Sequence, residues 1–118
     1  MIAGTLIALI AALHVYIMVL EMVLWTTPRA RRAFGTTEDF AKSTKTLAAN
    51  QGLYNGFLAA GLIWALVAGP HGAGMAPATF FLCCIAIAGL YGAATASRRI
   101  LFIQTIPAVI ALATLFLT

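Results

Sequence analysis

Charge is what this sequence has least of: 118 residues carry seven basic and three acidic side chains, 8% charged against roughly 25% in a soluble domain. With 63% hydrophobic residues and a mean hydropathy of +1.01, so few charges cannot build the solvated exterior that a soluble globular protein needs. The apolar content excludes a disordered tail, the net charge of +4 is too small to make a nucleic-acid binder, and the length excludes a two-domain enzyme. One membrane domain, residues 1–118, remains, and its solvent is the lipid bilayer. Cysteine is scarce too. Cys83 and Cys84 are neighbours in an apolar run, where they point to different sides of a helix and read as small core residues rather than a disulfide.

What the chain has in quantity is apolar runs. A helix needs about 20 residues to cross a hydrocarbon core of about 30 Å at 1.5 Å per residue. Residues 2–25, 47–68, 77–97 and 100–118 all qualify, so the expected fold is all-α: a polytopic four-transmembrane-helix bundle, with the second helix starting near residue 38. No basic residue precedes the first run, which is too long for a signal-peptide core, so it reads as a retained helix.

The basic residues fall in two places. Arg29, Arg31, Arg32, Lys42 and Lys45 lie between the first and second runs, Arg98 and Arg99 between the third and fourth. By the positive-inside rule these connections are cytoplasmic and both termini extracytoplasmic, as in a multi-pass protein of a cell membrane such as the bacterial inner membrane. The outer connection, with Gly69, Pro70, Gly72, Gly74 and Pro77, reads as a short hairpin loop, and His71 within it as solvated. In the longer cytoplasmic connection, Pro28 opens one or two interfacial turns that Gly35 can close in a left-handed conformation, and Thr37 offers an N-cap ahead of Glu38 and Asp39. Phe40, Ala41 and Leu47 are expected to face the bilayer surface, with Lys42 and Lys45 snorkelling toward phosphates.

Glu21 is the one formally charged side chain inside an expected span. An intramembrane carboxylate costs several kcal/mol unless it is protonated, hydrogen-bonded or hydrated, so it normally faces the bundle interior. His14 lies two turns earlier on the same face, about 10.5 Å away along the axis, too far for contact. The second helix carries Asn50, Gln51, Tyr54 and Asn55, paired at i,i+4, and Gly52 and Gly56 in a small-xxx-small pattern that admits a close neighbour. Gly89, Gly92, Ala93 and Ala96 make a similar surface on the third helix. On the fourth, Gln104 precedes Pro107, whose missing N–H frees the carbonyl of Ile103. Counted from the cytoplasmic side, Glu21, Asn50, Gln51, Tyr54, Asn55, Tyr91 and Gln104 share one layer, with His14 deeper. No metal site is expected, because one histidine and one carboxylate two turns apart fall short of a ligand set.

Such a layer supports three readings. It is a pocket that binds or transports a small polar or cationic molecule, a lipid headgroup or a proton; it is an intramembrane enzyme acting on a lipid-soluble substrate, with Glu21 or His14 as acid and base; or it is a structural network that fixes helix register. Four short helices enclose little lumen, so the first reading implies a homo-oligomer built on the Gly52/Gly56 or Gly89/Ala93 surfaces. The chain also resembles a known group. Residues 14–22 (HVYIMVLEM) with Trp25 and Pro28, the Phe34-Gly35 pair, residues 47–61 (LAANQGLYNGFLAAG) and Tyr91-Gly92-Ala93 are similar to the small bacterial and fungal membrane proteins grouped as domain of unknown function 1304. The resemblance covers nearly the whole chain and implies a four-helix membrane protein. It brings no established activity or cofactor.

Overall fold

The computed structural model describes residues 1–118 and is helical throughout, with no strand. Six α-helices follow in order: α1 (Ile2–Met22), α2 (Pro28–Phe34), α3 (Glu38–Ser43), α4 (Lys45–Ala68), α5 (Met75–Thr95) and α6 (Ile106–Leu117). Ile2–Met22, Lys45–Ala73 and Met75–Thr95 are each long and apolar enough to cross a membrane, and the apolar segment Leu101–Leu117 is shorter. Two compact units share the chain, one formed by Met1–Ala11 with Leu58–Thr118, the other by Ala12–Phe57. The helices α1 and α4 contribute to both.

In the first unit the core is small side chains interleaved with branched ones: Ala3, Ile7, Ala65, Ala78, Leu82, Ile85, Ala108 and Ala111 are fully enclosed. Apolar residues gain nothing by leaving lipid for a neighbouring helix, so close approach between small residues supplies the packing. Gly61 lies under the ring of Phe81, and Gly89 lies directly against Thr105. Gly69, at φ +95°, turns the chain out of α4, and the Gly74 amide donates to the Gly69 carbonyl at 2.8 Å, a wide turn of five residues rather than an open loop. A second wide turn, Leu101–Thr105, leads into α6. Pro107 has no N–H to give the carbonyl of Ile103, and a π-type turn just before a proline is one way a helix absorbs that gap. Thr105 strengthens it by donating its Oγ1 proton to the Ala86 carbonyl of α5 at 3.0 Å.

In the second unit, α1 stops at Met22, three residues short of the expected end. The Val19 carbonyl takes both the Val23 and Leu24 amides, which closes the helix and turns Trp25 onto Ala41 and Ala48. Its indole N–H donates to Thr44 Oγ1 at 3.1 Å, and its ring tilts against Phe34 with centroids 4.9 Å apart. Thr27 caps α2 by accepting from the Ala30 amide; Gly35 ends it at φ 68° and Thr37 caps α3, both as the sequence predicts. Arg29, at the start of α2, donates to the hydroxyl of Tyr16 at 3.5 Å, so α2 folds back along α1. The helix expected over 38–68 is interrupted at Thr44 (φ −108°), whose hydroxyl turns back to donate to the Phe40 carbonyl at 2.7 Å. Ala41, expected at the bilayer surface, lies instead beneath Trp25, while Phe40 and Leu47 are exposed.

Candidate functional site

The buried positions of α1 recur at Ala3, Ile7, Ile10, His14 and Glu21, and those of α4 at Ala48, Gly52, Asn55, Ala59 and Leu62. Alternating steps of three and four residues keep one seam of a helix against a neighbour. His14 and Glu21 therefore occupy seam positions otherwise given to Ala and Ile, and Asn55 one between a glycine and an alanine.

In the unit Ala12–Phe57 the Asn55 Nδ2 group donates to Glu21 Oε1 at 2.6 Å and also lies 3.3 Å from the Gln51 carbonyl. Glu21 is 4% exposed and Asn55 9%. Glycine makes this approach feasible. A Cβ on Gly52 would sit 2.6 Å from Met22 Cγ, 3.0 Å from Glu21 Cβ and 3.2 Å from the Met18 carbonyl oxygen, and one on Gly56 would sit 2.7 Å from Met18 Sδ. The two glycines thus bring the α4 backbone against Met18 and Met22, which sets Asn55 within reach of the carboxyl. A carboxyl with one short amide donor in an apolar seam is suited to taking a proton or the positive part of a small molecule, with the amide fixing its orientation.

The eight residues expected in or near a polar layer divide. His14, Glu21 and Asn55 are buried, and all three belong to the unit Ala12–Phe57; Asn50, Gln51 and Tyr54 belong to it too, but are exposed. Tyr91 and Gln104 belong to the other unit, Tyr91 72% exposed and Gln104 half-buried. Among the eight, the structure joins the Glu21 carboxyl directly to the Asn55 amide. Two residues were not singled out from sequence. Thr44 holds the Trp25 indole and Thr105 ties the wide turn to α5, and neither had a signal, since threonines at helix ends are common for local reasons. Both glycine surfaces expected to join two copies are used within the chain, Gly52 and Gly56 against α1 and Gly89 against Thr105. A shallow, mostly apolar concavity lined by Gly72, Ala73, Met75, Thr79, Phe80 and Cys83 lies on the first unit and offers no charged group.

Residues 8–116 match the family described as Protein of unknown function (DUF1304). The chain is 34% identical over 110 residues to the uncharacterized protein YpaA of Lactococcus lactis subsp. lactis (strain IL1403), covering 92% of this chain and 91% of that one. No solved structure matches.

Proposed function

The chain belongs to the DUF1304 family, and within it we propose that this member is a multi-pass membrane protein whose Glu21–Asn55 pair is the binding element for a proton or a small polar or cationic molecule. The observation that carries the reading is the 2.6 Å hydrogen bond between two side chains that are both nearly enclosed. A seam held by glycine and alanine has no need of a carboxyl for packing. Retaining one there costs several kcal/mol unless something compensates it. In this reading Glu21 takes the positive part, Asn55 orients it, and His14, two turns along the same seam, continues the polar path.

Four spans, with the basic connections in the cytoplasm and both termini outside, are the topology that goes with it. The charge distribution supports this orientation. At 17 residues, Leu101–Leu117 stands at the lower end of the span lengths that reach across a bilayer, about 17–25.

Thermal stability of the purified protein in lipid nanodiscs, measured against sodium, potassium, ammonium, choline and polyamines and across pH, tests the reading. Wild type is expected to melt higher with at least one of these, and Glu21→Gln to lose that shift while remaining folded. Shifts that survive in Glu21→Gln, or a wild type that responds to none of the panel, overturn it.

A further inference from the structure

The helix α4 carries a second seam beside the one that meets α1. Leu47, Gln51, Tyr54, Leu58, Gly61 and Ala65 follow one another in steps of four and three, so they form one line down the helix. The later half of this line is covered within its own unit: Gly61 and Ala65 are buried, Gly61 under Phe81 and the Ala65 carbonyl against Gly74. The earlier half is bare. Leu47 is 68% exposed and Tyr54 61%, and Gln51 and the flanking Asn50 are exposed as well. Gln51 lies six residues, about 9 Å along the axis, beyond Lys45, the basic residue that starts α4. A carboxamide there leaves water without a partner, and facing lipid it is costly.

We propose that this bare half-seam is where two copies of the chain pair through α4. The chemistry selects a second copy. Two copies inserted with the same topology are related by a two-fold axis along the membrane normal, which makes their α4 helices parallel and sets Leu47, Gln51 and Tyr54 opposite themselves. A carboxamide both donates and accepts, so Gln51 satisfies Gln51, and Asn50 adds a second self-complementary group; a tyrosine hydroxyl does the same. A lysine or a glutamate at these positions would repel its own copy. Lys45, the sole charged residue of α4, lies roughly 120–180° around the helix from the seam and does not meet its counterpart. The glycine surfaces that ordinarily join membrane helices are already occupied inside the chain, and the bare stretch continues a line of positions that already packs a helix further along. This pairing is independent of ligand binding at Glu21.

Cysteine cross-linking in membranes tests it, in a Cys83→Ala/Cys84→Ala background. Leu47→Cys leaves both carboxamides in place and is expected to form a disulfide-linked dimer on oxidation. Leu53→Cys, next to Tyr54 in the sequence but on another face of α4, is expected to remain monomeric. Adding Gln51→Leu to Leu47→Cys is expected to weaken dimerisation about three- to tenfold, the range for one interhelical hydrogen bond in a membrane. Equal cross-linking at positions 47 and 53, monomers at both, or a Gln51→Leu variant that dimerises as before overturns the proposal. A monomer that instead copurifies with bound lipid assigns the face to a headgroup and overturns it too.

Discussion

Residue by residue, α1 and α4 offer few partners to one buried carboxyl, and Asn55 is the one that reaches it. Asn55→Ala removes the amide that donates to Glu21 at 2.6 Å and leaves a buried acceptor short of a partner, a change that typically costs about 1–3 kcal/mol. The loss is expected as a lower melting temperature. In Glu21→Gln a neutral amide remains to bond Asn55, so that variant melts closer to wild type. The glycines give a second contrast. Gly52→Ala pushes a methyl against the Met18 carbonyl oxygen at 3.2 Å as well as against Met22 and Glu21, whereas Gly56→Ala meets the end of the flexible Met18 side chain. Overpacking costs about 1–3 kcal/mol where the neighbour cannot yield, so Gly52→Ala is expected to destabilise clearly more than Gly56→Ala. Glu21 was legible from sequence because it is the lone acid within an apolar run. Asn55 was not separable there from Asn50, Gln51 and Tyr54, because i,i+4 spacing describes neighbours on a helix and not which of them another helix covers.

At the scale of elements, short polar contacts set where the helices end. Thr44 both accepts from Trp25 and donates to the Phe40 carbonyl, which separates α3 from α4. Thr44→Val leaves the indole N–H unpaired, and with Trp64→Phe as background the Trp25 emission is expected to change, with a stability loss of about 0.5–1.5 kcal/mol. The same emission reports acid sensitivity. Lys42, 3.2 Å away and one turn on, holds the Glu38 carboxyl below its ordinary value of 4.5. A depressed carboxyl contributes stability that is present above the ordinary value and lost as pH falls through the lowered one, so α3 is expected to loosen only in acid, and less sharply at high salt because both groups are exposed. The caps at Gly35 and Thr37 are legible in the sequence, since each is set by local chemistry. The break at Thr44 is not, because its hydroxyl meets the indole of Trp25, a residue distant in sequence; nor is the early stop of α1, where the Val19 carbonyl takes two amides and no glycine or proline marks the end.

At the scale of the whole molecule, the scarcity of charge fixed the class: an all-helical chain with segments that are long and apolar enough to cross a membrane. The proposed orientation predicts that, in the cysteine-free background, a Ser97→Cys label is reachable only from the cytoplasm and a His71→Cys label only from outside. The expected polar layer was the part that sequence could not resolve. Depth along each helix is countable from the connections, but the rotation of each helix about its axis is set by packing, and rotation decides that Asn55 faces Glu21 while Asn50, Gln51 and Tyr54 stay exposed. The chain has three acidic side chains, so the Glu21 carboxyl can be isolated spectroscopically. In a Glu38→Gln/Asp39→Asn variant Glu21 is the remaining side-chain carboxyl, and its infrared band can be followed in lipid bilayers through a pH and cation titration. A side-chain carboxyl band that responds to protons or to a cation, and is absent from the further variant Glu21→Gln, is expected. A Glu21 band that stays unchanged through the whole titration would contradict the proposed binding role of Glu21.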